Sequence, residues 1–500
     1  LKGGDMATSD RQLQGNIAIG SYALDSMGGY GTTGSIAIGY EALSGISYGA
    51  ENLAIGYQAG KALLAEGGCT YIGYKAGLTF TGARNLAIGH GAMDGAAADD
   101  APTSTDNVFI GHTAGGGAWD DGADSTDDSN FNVGIGNYVM DAAMDGAVQN
   151  TALGHKALST LTTGYSNTAI GYLSLFDVTI GNTNIGIGQE AGTNLINGST
   201  NVLIGTQVGA TMTDTNHAIG IGYRALYAVN DAGANYAIGI GTSSLASLTD
   251  GAANTAIGYQ SGQFATTAAN CTFIGSNAGA GITGAKSTGN DNTAVGKDAG
   301  LLLQGAAHSN TFVGSTAGNV ATTAVENTVV GFNCDIYDAT ATNQIVIGNN
   351  LTGTDLDNSV YIGNDSSHIQ NDFNADATWT HSSDIRQKKD INDNNLGLSF
   401  INEIRPVTYK HKSPSEFPKE WTAYDADDKE PMGGDKTIHG LIAQEVKQAL
   451  DNANIDTFSG WSEDDDGRQR VSFESFVMPL IKSVQELSKK VEELEAKLSE

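Results

Sequence analysis

The chain has 500 residues and a net charge of −31, with 56 Asp and Glu against 25 Lys and Arg. So acidic a surface excludes nucleic acid and an anionic membrane as partners and favours solubility. Cys69, Cys271 and Cys334 are too few and too scattered for a disulfide framework or a zinc site, and no apolar run approaches a membrane span.

After a lead-in of residues 1–15, one pentapeptide keeps returning across 16–365: Asn16-Ile17-Ala18-Ile19-Gly20, Asn52-Leu53-Ala54-Ile55-Gly56, Asn167-Thr168-Ala169-Ile170-Gly171, Asn327-Thr328-Val329-Val330-Gly331. Its closing glycines run from Gly20 to Gly363, at many junctions 17 residues apart. Self-similarity at so short a period predicts a β-solenoid whose coils bury their apolar faces against one another. The fourth position is always Ile, Leu or Val, while the third runs from Gly and Ala to Phe and Tyr. Alternation puts the two on opposite faces of a short strand, so the fourth is expected to fill the coil interior and the third to approach another coil or chain. Glycine permits the corner, and asparagine suits a turn residue bonding local backbone. The pattern resembles the head repeats of trimeric autotransporter adhesins, which form a β-roll; the likeness is to the repeat and not to the whole chain.

Three longer steps place insertions at Ala92–Asp106, Gly115–Asn130 and Gly281–Asp291. Insertions in solenoids become loops, often on the binding side. Trp119 is the large aromatic among them, available to stack on a sugar ring or to cover its own loop. The runs around Asp120 to Asp128 and Asp464 to Asp466 lack the periodic spacing of a calcium loop and read as solvated acid. His90, His112 and His155 each follow a coil-closing glycine, which reads as polar surface rather than a metal site. Residues 1–380 hold nine Lys and Arg and thirty-two Asp and Glu, a net of −23.

A connector, 366–382, leads to a compositionally different module at 383–500. It opens on Ser383-Asp384-Ile385-Arg386-Gln387-Lys388, a hydroxyl and an amine five residues apart. Serine is a poor nucleophile at neutral pH, and a partly desolvated lysine can take its proton where arginine cannot. Five residues do not bring two side chains together on a helix as three or four do, so the pair must meet through a bend. Alternatively, Ser383-Asp384 caps a helical turn and the lysine is merely solvated. Beyond it lie Ile401-Asn402-Glu403-Ile404-Arg405-Pro406-Val407-Thr408-Tyr409 and His439-Gly440-Leu441-Ile442-Ala443-Gln444-Glu445-Val446. These blocks, in this order, resemble the intramolecular chaperone that ends many phage tailspikes and tail fibres, of the endosialidase type. The resemblance covers about 380–500. It implies that the module trimerises the chain and then cleaves itself at Ser382–Ser383, with Ser383 as nucleophile, Lys388 as general base and His439 as an assisting residue. Gln387 departs from the leucine usual before the lysine.

Phe473, Val477, Leu480, Val484, Leu487, Val491, Leu494 and Leu498 step by four and three, the period of a coiled-coil seam over 472–500. Glu486–Lys490 and Glu493–Lys497 are spaced as outer-face pairs. Valine at a with leucine at d leans toward two strands, whereas the resemblance implies three. The whole reads as mainly β: a solenoid shaft, then a small α+β chaperone domain ending in a coiled-coil helix. The expected function is a homotrimeric phage tail fibre or spike, assembled in the reducing host cytoplasm. It would meet a host cell-surface glycan or protein, and other tail proteins through an attachment domain ahead of Leu1, which is not an initiator methionine. No signal peptide is visible, and no cofactor or metal is expected. The alternatives are a polysaccharide depolymerase and a bacterial surface adhesin.

Overall fold

Each repeat folds as one short strand, a glycine corner and a return arm. The computed structural model describes residues 15–26, 32–95, 103–119, 128–230, 232–373, 383–421, 423–431, 436–464 and 466–499. The chain divides into two compact units, Leu1–His381 and Ser382–Glu500.

In the first unit, twenty strands from Ile17–Ile19 to Ser359–Asn364 follow one another in chain order. Each pairs parallel with the next, like over like: Ile17 opposite Ile36, Ile36 opposite Leu53, Ile185 opposite Val202. A last strand, Ser367–Asp372, turns back antiparallel on Ser359–Asn364. The corners require glycine twice over. Gly56 has φ +142°, and a Cβ there would stand 2.1 Å from the carbonyl oxygen of Gly73 in the next coil.

The facing of the strands is the reverse of the sequence expectation. The third pentapeptide position is the buried one from Ala37 onward, as at Ala54, Tyr71, Phe109 and Leu203, while the fourth points outward, with Ile19, Leu153 and Ile257 exposed. The interior is completed by the return arms, through pairs such as Ala42-Leu43, Ala157-Leu158 and Ala225-Leu226. This explains why the third position varies in size. A Cβ on Gly134 would meet Phe109 at 2.5 Å, and one on Gly186 would meet Leu175 at 2.6 Å, so small residues sit where a neighbour fills the space.

The first-position asparagines bond between coils more than locally. From Asn85 to Asn201 each side chain contacts the next: Asn167 Nδ2 donates to Asn150 Oδ1 at 3.1 Å, and Asn184 Nδ2 donates to Asn167 Oδ1 at 3.1 Å. The backbone N–H of each rung donates to the same oxygen, as from Asn184 at 2.9 Å. Cys69 and Cys271 occupy rungs of this buried line, and all three cysteines are free and buried.

Trp119 stacks on no exposed surface. It is fully buried, Nε1 donates to Gly115 O at 3.0 Å, and its ring meets Phe80 and Phe109 edge-on. His90, His112 and His155 stand in an outer stack of rings with Tyr74, Tyr138 and Tyr172; the His90 and His112 centroids are 5.0 Å apart. The insertions at Ala92–Asp106 and Gly115–Asn130, with Asp120, Asp121, Asp124 and Asp127, run through residues outside those described. The third insertion rejoins the stack at Ser287, which bridges Ala265 and Gly305.

Among the described residues the second unit holds three helices, α1 (Leu398–Glu403), α2 (Ala443–Asn452) and α3 (Val477–Ser499). A 3₁₀ turn, Phe473–Phe476, leads into α3, and two antiparallel ladders pair Val407–Tyr409 with Ile438–Gly440 and Trp461–Glu463 with Gln469–Val471. The core is small: Leu396, Phe400, Val446, Ala449, Leu450 and Phe476. Glu486 turns toward α1, where its Oε2 accepts from Leu398 N–H at 2.9 Å. Asp464 and Asp466 are paired with Arg468 and Arg470. No helix among the described residues is long and apolar enough to cross a membrane.

Candidate functional site

Ser383 and Lys388 flank a single 3₁₀ turn, Ile385–Gln387. Asp384 stands at its N-cap with extended backbone, and Lys388 at its C-cap is extended again. One tight turn between two extended residues folds the chain back on itself, which resolves the five-residue spacing. Lys388 Nζ donates to Ser383 Oγ at 2.7 Å. Gln387 N–H donates to Asp384 O and Lys388 N–H to Ile385 O, both at 3.1 Å.

The capping alternative is present in the same turn. Asp384 Oδ1 accepts from Arg386 N–H at 2.8 Å, and its carboxylate takes the Arg386 guanidinium at 2.6 Å. These side-chain bonds, then the backbone bond, hold the Asp384 carboxyl below its ordinary range. Asp384 is the member of the Ser383-Asp384 pair that does the capping. It caps the turn and occupies the arginine, leaving the lysine amine to the serine. Both Ser383 and Lys388 are exposed, and Ser382, across the implied scissile bond, lies outside the described residues.

His439 sits elsewhere in the module. It is exposed on the strand Ile438–Gly440, opposite Thr408, in the wall of an apolar cavity of about 410 Å³. Ile404, Leu441, Phe473, Phe476 and Leu480 also line it. Among the described residues, no hydrogen bond joins His439 to Ser383 or Lys388. The two downstream sequence blocks are brought together instead: their strands pair, and Arg405 Nη2 donates to Glu445 Oε1 at 2.7 Å. Gly397 allows Glu486 to reach α1, since a Cβ there would lie 2.4 Å from the carboxylate.

Along α3 the seam is open. Leu480, Val484, Leu487, Val491, Leu494 and Leu498 are all exposed, Leu498 at 86%. No group of three His, Cys, Asp or Glu among the described residues could hold a metal ion.

A small α+β module with a turn-borne serine and lysine thus follows a β-solenoid of about twenty coils. Residues 383–455 are similar to the family described as the chaperone of endosialidase, a likeness confined to the module behind the solenoid. No curated protein and no solved structure matches the chain.

Proposed function

We propose that this chain is a segment of a phage tail fibre or spike whose C-terminal module brings three copies together and then cuts itself free at Ser382–Ser383. The observation that carries the reading is that the family match begins at residue 383, the residue whose hydroxyl lies 2.7 Å from Lys388 Nζ. The neutral lysine takes the Oγ proton as Oγ bonds to the Ser382 carbonyl carbon. The C–N bond then breaks, the proton passes to the departing Ser383 nitrogen, and an ester joins Ser382 to Ser383 Oγ. Water hydrolyses it, giving a Ser382 carboxylate and a new N-terminus at Ser383. Oligomerisation is supported by the small core of the module against its long apolar seam. The solenoid is the shaft that carries host attachment.

Expressed whole, the wild-type chain is expected to yield two masses meeting at Ser382–Ser383. Ser383→Ala and Lys388→Ala yield the uncut mass, and Lys388→Arg does not restore cutting, because arginine remains protonated. Cutting that persists in Ser383→Ala would overturn the proposal.

A further inference from the structure

Asp384 and Arg386 carry the remaining charge of the turn between Ser383 and Lys388. The bonds of the Asp384 carboxylate converge on one residue: Oδ1 accepts from Arg386 N–H at 2.8 Å and from its Nε at 3.0 Å, and Oδ2 accepts from Nε at 3.1 Å and from Nη2 at 2.6 Å. Lys388 Nζ donates to Ser383 Oγ at 2.7 Å and, among the described residues, stands in no ion pair. No residue of the turn is buried, so the charges that face the amine come from the turn and its flanks: Asp384, Arg386, Lys389 and Asp390. The Arg386 side chain is 86% exposed, and an ion pair so open to water contributes little to stability. An N-cap needs only an acceptor, which an uncharged asparagine supplies as well as an aspartate. A carboxylate there also brings a hazard to the chemistry. Asp384 and Lys388 stand at the two ends of one folded-back turn. A free carboxylate beside an ammonium favours the ammonium, which donates to a serine hydroxyl but cannot take its proton.

We infer that Arg386 is a positioning residue for the cut: it holds the Asp384 carboxylate in the cap of the turn and off the amine of Lys388, leaving that amine able to act as base. The inference rests on the self-cleavage reading above, and Arg386 touches neither the bond that forms nor the bond that breaks. A guanidinium suits the task for two reasons. Its planar fork takes a carboxylate through parallel bonds that a single ammonium does not reproduce. It also stays charged at every pH at which a lysine can work as a base, so the carboxylate is never released. The balance of forces on Asp384 agrees. The side-chain bonds of Arg386 do most to hold its carboxyl below the ordinary range, and the charge of Lys388 does least among the groups that lower it.

The pH dependence of cutting tests this. Full-length chain from a short cell-free synthesis is moved into buffers from about pH 6.5 to about pH 9.5, and the cut and uncut masses are followed in time. Sedimentation on the same samples checks that the variants assemble alike. The substitutions fall on an exposed turn with no buried residue, so the core of the module is left intact. Arg386→Gln should cut roughly ten-fold more slowly than wild type near pH 7 and approach it near pH 9, its profile displaced upward by about one pH unit. Asp384→Asn combined with Arg386→Gln should recover most of that loss near pH 7, because asparagine still caps the turn and no carboxylate remains to hold the ammonium. A residue that merely props the turn predicts the opposite, a double variant at least as slow as the single one. Arg386→Gln slowed equally at every pH, or a double variant no faster than Arg386→Gln, would overturn the inference and leave self-cleavage intact. Wild type that stays uncut, or Ser383→Ala that cuts, would overturn both.

Discussion

Asn167 ties three coils together with one side chain. Its Nδ2 donates to Asn150 Oδ1 and to Gly181 O, and its Oδ1 accepts both the backbone N–H and the Nδ2 of Asn184. Asn167→Ala therefore leaves a buried N–H without its acceptor, at an expected cost of about 1–3 kcal/mol, read as a lower unfolding midpoint. Asp335 is the opposite case, a buried carboxylate that costs stability. It accepts from Val320 N–H and Ile336 N–H, but loss of solvent dominates and pushes its pKa up to about 7. A raised folded pKa means the protonated form fits best. Stability should fall as pH rises from about 3.8 through about 7, then level off. Asp335→Asn keeps an acceptor oxygen and removes the charge. It should stabilise the shaft by on the order of 2–4 kcal/mol at pH 8 and by almost nothing at pH 4, measured as thermal unfolding at the two pH values.

At the scale of the element, the period of the closing glycines was enough to predict a solenoid, because a coil that must close and stack leaves few other geometries. Which face pointed inward was not legible from the strand alone. Two apolar sets alternated along it, and the deciding residues, such as Leu43 and Leu158, lie on return arms whose pattern is less regular. The size variation at the third position was itself the missed signal. A buried row varies where neighbours compensate, as Gly134 does beside Phe109, whereas an outer row repeats one shape. In the module, the serine and lysine could be named from their spacing and the family resemblance, and a Ser383-Asp384 cap was offered as the alternative; that the cap and the Ser383–Lys388 contact occur in one turn, with Asp384 also holding Arg386, was not legible from spacing. The helix α3 was legible because 4-3 stepping of apolar residues requires one, and its apolar row stands exposed on the single chain. The inward turn of Glu486 was not, since its partner, Leu398 N–H, is 88 residues away in sequence.

For the molecule as a whole, near-identical coils create a register problem. If copies pair as proposed, sliding one shaft past another by a coil would still set Ile over Ile, so slipped pairings would differ little in energy and something outside the repeats would have to align the chains. The module is suited to aligning them, because its seam exposes large apolar side chains from Val477 to Leu498, each able to contribute roughly 1.5–3 kcal/mol when buried. On the proposed function, the same logic would place cutting after assembly. On the single chain, Ser383 and Lys388 are open to water, which competes for both groups, and neighbouring copies would supply the cover that favours proton transfer. Leu487→Asp with Leu494→Asp places two charges in the seam without touching the turn at 385–387. Assembly should weaken by roughly three orders of magnitude or more, leaving mainly uncut monomer at micromolar concentration. Sedimentation and intact mass on one sample read both quantities. Complete cutting in a protein that sediments as a monomer would mean that the serine and lysine act alone and that assembly does not gate them.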